Sequence, residues 1–207
     1  MTKPNLPERE TRAFSLPDLT ESDGNMLQGH AAVFGQIYDM GYFTETIARG
    51  AFDSCDFTDV LFSVNHDLSK IPLARSRNNN TNSTLQLAVD DQGLATRAVL
   101  DIENNTDARA LYSAVGRGDI SGMSYIFAVR NDEWAGLDSD MPQRTITDIA
   151  KVFEVSAVSM PANPGTDISA CGAPTLESAK RTLDSARAKS LDSDAERRKR
   201  LIVFTYL

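Results

Sequence analysis

Between Gly118 and Phe127 the chain reads Gly-Asp-Ile-Ser-Gly-Met-Ser-Tyr-Ile-Phe, and no other stretch constrains the fold as much. Two glycines and an Asp mark a turn. Met123, Tyr125 and Phe127 then alternate with Ser124, Ile126 and Ala128, which is the period of a strand. Runs of the same kind recur at Met26–Phe34, Phe43–Ile47, Val60–Asp67, Thr84–Val89, Leu94–Leu100, Arg144–Ile149 and Lys151–Met160. Between them stand turn-rich segments such as Asp90-Asp-Gln-Gly93 and Asn78–Ser83. The clearest helix of the body is Thr106–Val115, with Ala108, Leu111, Tyr112 and Val115 on one apolar face and Thr106 as its expected N-cap. The expectation is a mainly β body of about seven strands with flanking helices, an α+β arrangement.

The remaining segments sort by composition. Residues 1–24 are polar, carry three of the prolines, and read as a mobile N-terminal arm with a short strand near Thr11–Leu16. Residues 25–170 form the expected domain. From 171 to 207 the chain turns to Ala, Ser, Lys, Arg and Asp, a helical tail striped by Leu176, Ala179, Leu183 and Ala186, and ends on the apolar run Leu201–Leu207. From Pro174 onward eight Lys/Arg stand against five Asp/Glu, a balance of +3. With a net charge of −8, the rest of the chain therefore carries −11. So acidic a body argues against general nucleic-acid binding, because phosphate contacts need cations. No run approaches a membrane span, and no secretory leader is read at the N-terminus. Two distant cysteines, Cys55 and Cys171, with no CxxC spacing point to a reducing compartment and not to a disulfide scaffold. No HExxH, P-loop or GxGxxG motif appears, so neither metal nor cofactor is expected.

Chemistry must then come from ordinary side chains. Ser124 follows a glycine on a strand, where another group can approach closely. An isolated Gly-x-Ser is also compatible with a plain polar residue on a wet face. A hydroxyl needs a base to become nucleophilic, and an imidazole titrates in the right range. Only two histidines exist. His66 ends a strand in Asn65-His66-Asp67, where Phe62, Val64 and His66 would share a face. His30 lies in a small-residue strand and reads as a packed or hydrogen-bonded residue. A third group that orients the base would be Glu154 or Asp148. Glu154 is the better placed, because a carboxylate inside Val-Phe-Glu-Val-Ser-Ala-Val is costly unless paired. The alternative for Glu154 is a structural ion pair with Arg144 or Arg75.

Taken together, Gly29–Gly35, Glu45–Phe52, Asn65-His-Asp67, Asp91–Leu94, Gly118–Phe127 and Phe153-Glu-Val-Ser-Ala-Val-Ser-Met-Pro-Ala-Asn-Pro164 resemble, in the same order, the tailed-phage prohead serine proteases. The resemblance covers roughly residues 26–168. It implies a closed β-barrel related to herpesvirus assemblin. It implies a serine endopeptidase inside the immature capsid, in the host cytoplasm. The implied substrate is scaffold or the scaffolding segment of the major capsid protein, with self-processing besides. Those proteins are the implied partners, with no nucleic acid or membrane, and a homodimer is left open. By the same resemblance Ser124 is the nucleophile, His66 the base and Glu154 the third member. Assemblin relatives use a second histidine as third member, which makes His30 the alternative here. The competing readings are a procapsid scaffold module without catalysis, and a hydrolase of small esters.

Overall fold

The structure, a computed structural model, describes residues 8–14, 19–22, 24–159 and 179–192. In chain order these are β1 (Arg9–Phe14), β2 (Thr20–Ser22), β3 (Met26–Val33), β4 (Tyr38–Asp39), β5 (Thr44–Ile47), β6 (Asp59–Val64) and β7 (Ala74–Arg77). Then follow β8 (Leu85–Val89), β9 (Gly93–Val99), α1 (Thr106–Gly116), β10 (Gly122–Ala135) and β11 (Gln143–Val158). A second helix, α2, runs over 179–192.

Mainly β with flanking helices is what the chain forms, but the closed barrel is not. The strands lie in two open sheets. One has seven strands in the order β1-β10-β11-β5-β4, with β6 also on β11 and β7 on β6. The other is β2-β3-β9-β8. The branching has a physical cause. β11 is 16 residues long, so its first part pairs in parallel with β5 and its later part in parallel with β6. Bulges between Ile126 and Asp132 bend the β10–β11 ladder on the way. Leu27 and Leu94 of the smaller sheet and Tyr125, Phe127 and Val155 of the larger join one buried apolar core. Burying each such side chain is worth ~1.5–3 kcal/mol.

Several local details differ from the expectation. The turn-rich sequence 131–142 would read as a loop, but β10 continues through its first five residues, which pair with β11 from Asn131↔Asp148 to Ala135↔Gln143 while Trp134 packs edge-on against Phe43 at 4.9 Å. The two strands expected from Arg144 and from Lys151 are one, β11, which ends at Val158. The cap of α1 is Asn105 and not Thr106: its side chain accepts from the amides of Asp107 and Ala108. β1 and β2 come from the stretch read as an arm, and β1 pairs antiparallel with β10 from Arg9↔Ala128 to Phe14↔Met123. In α2, Ala179 and Leu183 are buried in the common core, and Arg187 Nε donates to the Leu137 carbonyl at 2.9 Å. Leu176 and the run 201–207 lie outside the described residues.

Beneath β1 lies a buried charge cluster. Arg12 bonds Glu10 Oε2 at 2.6 Å and both carboxylate oxygens of Glu45. Arg144 bonds Glu10 at 2.6 and 2.9 Å, Glu45 at 2.8 Å and Asp132 at 2.7 Å. Burial alone would push the Glu10 carboxyl up, yet Arg12 and Arg144 hold it down at about 2.

Candidate active site

Three adjacent strands build the site. β10 places Ser124 opposite Ser156 of β11, and β11 places Ser156 beside Ser63 of β6. Three hydroxyls therefore form one row across the sheet. Glu154, two residues before Ser156, stands next to that row. All four side chains are buried, with Glu154 at 1% and Ser124 at 0% exposure.

His66 reaches this row by a route that period-two reasoning misses. β6 ends at Val64, and the next two residues, Asn65 and His66, both take left-handed backbone at φ 51° and 58°. Such a pair is unfavourable for residues with a Cβ and must be held by its surroundings. Asn65 donates its amide to the Ala157 carbonyl at 2.9 Å, and its side-chain oxygen accepts from the Ser159 amide at 3.0 Å. The His66 amide donates to Ser156 Oγ at 2.9 Å. The reversal carries His66 off the Phe62 and Val64 face and over Ser63, Glu154 and Ser124.

There His66 Nε2 lies 2.5 Å from Ser124 Oγ and Nδ1 lies 2.6 Å from Glu154 Oε2. A carboxylate only accepts, so Nδ1 carries the proton and Nε2 presents a lone pair to the hydroxyl. Glu154 Oε1 accepts from Ser63 Oγ. Ser124 Oγ is also 2.8 Å from the Arg12 carbonyl. The hydroxyl has one proton, so it serves either His66 or that carbonyl at a given moment. The arrangement can activate a hydroxyl and stabilise the imidazolium that results.

The other candidates lie elsewhere. His30 pairs with Asp90 Oδ2 at 2.9 Å on the smaller sheet. Asp148 is bonded by Arg130 and Ser54 at 2.8 Å each. Arg144 and Arg75 are engaged with the charge cluster and with Asp59, so neither takes Glu154 as an ion pair. Among the described residues no cluster of His, Cys, Asp or Glu could hold a metal. Burial pushes the Cys55 thiol up to about 12, which leaves it a poor nucleophile near neutrality. A cleft of about 680 Å³ is lined by Gln28, His30, Thr96 and Arg97 on the smaller sheet and touches none of the three clustered residues. A smaller one of about 310 Å³ is lined by Ser63, the hydroxyl bonded to Glu154, and by Asp67, Lys70, Ile71, Leu73 and Leu111.

Two residues of the site, Ser63 and Ser156, carry no role in the sequence reading. The signal was present: each is a hydroxyl inside an otherwise apolar strand, Val-Leu-Phe-Ser-Val and Glu-Val-Ser-Ala-Val. A buried polar side chain needs a partner, and here the partners are one another.

No helix among the described residues is long and apolar enough to cross a membrane. No curated protein and no solved structure matches the chain. The family model described as caudovirus prohead serine protease matches residues 13–182, a span that takes in Ser63, His66, Ser124, Glu154 and Ser156 and every strand except the first four residues of β1. The chain belongs to the caudovirus prohead serine protease family.

Proposed function

We propose that this chain is a serine endopeptidase that cleaves scaffold protein, or the scaffolding segment of the major capsid protein, inside the maturing procapsid, and that it also processes itself. One observation carries the reading: the unbroken line from Glu154 through His66 to Ser124, with 2.6 and 2.5 Å links. Family membership supplies the reaction class and the setting.

The steps follow from the atoms. Ser124 Oγ attacks the scissile carbonyl carbon while Nε2 of His66 accepts its proton. Glu154 keeps the Nδ1 proton and faces the imidazolium, so the positive charge forms beside a fixed negative one. His66 then hands its proton to the departing amine as the C–N bond breaks, leaving an ester on Ser124. Water, deprotonated by the same nitrogen, releases the ester. The Arg12 carbonyl competes for the Ser124 proton, so the attacking hydroxyl must turn from it to His66. The cleft beside Ser63 gives an extended substrate an apolar surface next to the base.

The test is co-expression with the cognate capsid and scaffold proteins, wild type against Ser124→Ala, with products sized by mass spectrometry. Shortened capsid or scaffold protein is expected only with the wild type. Equal processing by a folded Ser124→Ala variant would overturn the proposal.

A further inference from the structure

Two hydroxyls outside the proposed catalytic line close a ring around it. Ser63 donates its single proton to Glu154 Oε1. The Ser63–Ser156 contact, at 3.0 Å, must therefore have Ser156 as donor. Ser156 Oγ in turn accepts the His66 amide at 2.9 Å. The chain of donors thus runs His66 N–H to Ser156, Ser156 to Ser63, and Ser63 to Glu154. The His66 ring returns to the same carboxylate through Nδ1. Every proton in the ring has one acceptor, and each hydroxyl both gives and takes one bond.

We infer that Ser63 and Ser156 are positioning residues of the peptidase, holding base and carboxylate as one rigid unit. The inference rests on the functional reading of Ser124, His66 and Glu154 above. Two features raise it beyond simple polar satisfaction. First, the ring grips His66 at both backbone and ring, and the backbone it grips is left-handed at two successive non-glycine residues. Without the Ser156 bond the His66 amide loses the side-chain contact that ties this turn to β11. Second, Ser63 occupies the carboxylate oxygen that His66 does not use. That leaves one oxygen, in one orientation, for Nδ1. Ser63 and Ser156 are cross-strand neighbours, so the sheet itself sets their spacing. At 5% and 0% exposure, neither has water to replace its partner.

The test needs no knowledge of the cleavage site. A small fluorophosphonate reacts with an activated serine, and its labelling rate reports how well His66 serves Ser124. Labelling of the wild type and none of Ser124→Ala establishes the assay; an unlabelled wild type overturns both readings. Threonine and valine are nearly equal in shape, so Ser63→Thr against Ser63→Val isolates the hydroxyl. Valine is expected to slow labelling by about tenfold to a hundredfold, the worth of a hydrogen bond to a charged group, while threonine recovers most of it. The pH profile adds a readout that a merely structural role would not move. Glu154 is bonded to the His66 ring, while the neighbouring Asp67 carboxylate is bonded to Ser69. Freed of the Ser63 donor, Glu154 holds the imidazolium proton more firmly, so the rising limb of the Ser63→Val profile moves to higher pH. Ser156→Ala, which adds no bulk to the packed site, should show the same loss of rate. Equal rates for the threonine and valine variants with an unshifted limb, or wild-type labelling by a folded Ser156→Ala, would overturn the inference.

Discussion

Glu45 and Glu154 are equally buried, each at 1% exposure, and they live in opposite kinds of company. Glu45 meets two guanidinium groups, Arg12 and Arg144. Guanidinium does not release its proton in the accessible pH range, so that cluster is a set of permanent charges. Glu154 meets an imidazole and a hydroxyl, both able to pass protons on. The same side chain in the same sheet is thus structural in one place and, in our proposal, chemical in the other. The difference lies in whether its partner can change charge. Arg12 touches both regions, with its side chain in the cluster and its carbonyl at Ser124. The strand that the ions hold down is also the strand that lies against the proposed nucleophile.

One substitution made twice tests this contrast. Glu154→Gln keeps shape but can present an amide N–H to Nδ1, favouring the tautomer that cannot accept the Ser124 proton. Cleavage should fall by roughly 10⁴-fold in kcat with little change in melting temperature. Glu45→Gln should do the reverse. It leaves buried guanidinium charge under-compensated and should destabilise the fold by about 3–5 kcal/mol, measured by urea unfolding. Activity per folded molecule should stay near wild type. If Glu154→Gln unfolds the chain while Glu45→Gln silences it, the assignment of the two regions is inverted.

The cluster also predicts an acid limit. The Glu10 carboxyl is held at about 2, against 4.5 for an unstrained glutamate, chiefly because Arg12 and Arg144 outweigh its burial. A depressed carboxyl contributes stability that is present above the unfolded value and lost as pH falls through the folded one. The window is therefore pH 4.5 down to about 2, and its depth is ~3 kcal/mol. The urea midpoint should drop across that range and the drop should shrink in Glu10→Gln. An identical pH slope in the two proteins would remove Glu10 from the account.

How much of this could be read from residues alone depends on how local each signal is. Ser124 was legible because glycine and a period of two are neighbours in sequence. Glu154 was legible because a carboxylate amid Val, Phe and Ala needs a partner wherever that partner comes from. His66 was legible as a residue type at a strand end, but its face was not. Alternation assigned it to Phe62 and Val64, and two left-handed residues turned it over. Sheet closure was illegible for another reason. Alternation says which face of a strand is buried and nothing about which edge hydrogen-bonds to which. A 16-residue β11 that serves two partners in succession leaves no local mark. Nor does Arg12, in a stretch that composition assigns to an arm, announce partners as distant as Glu45 and Arg144.

Asp148 supplies the smallest and sharpest comparison. It was the other carboxylate considered as the orienting group, and it lies on the same strand as Glu154. Its oxygens take Arg130 at 2.8 and 2.9 Å and Ser54 at 2.8 Å, with 22% of the side chain exposed. Water can replace Arg130 here, so the pair resembles other partly exposed ion pairs, which contribute ~0.2–1 kcal/mol. Asp148→Asn should therefore lower the urea midpoint only slightly, and more so at low salt than at high, because the charge is screened. Cleavage rate should stay within about twofold, since no bond joins Asp148 to His66. A loss of activity comparable to that of Glu154→Gln would show that burial and direct contact with the imidazole are not what distinguishes these two carboxylates.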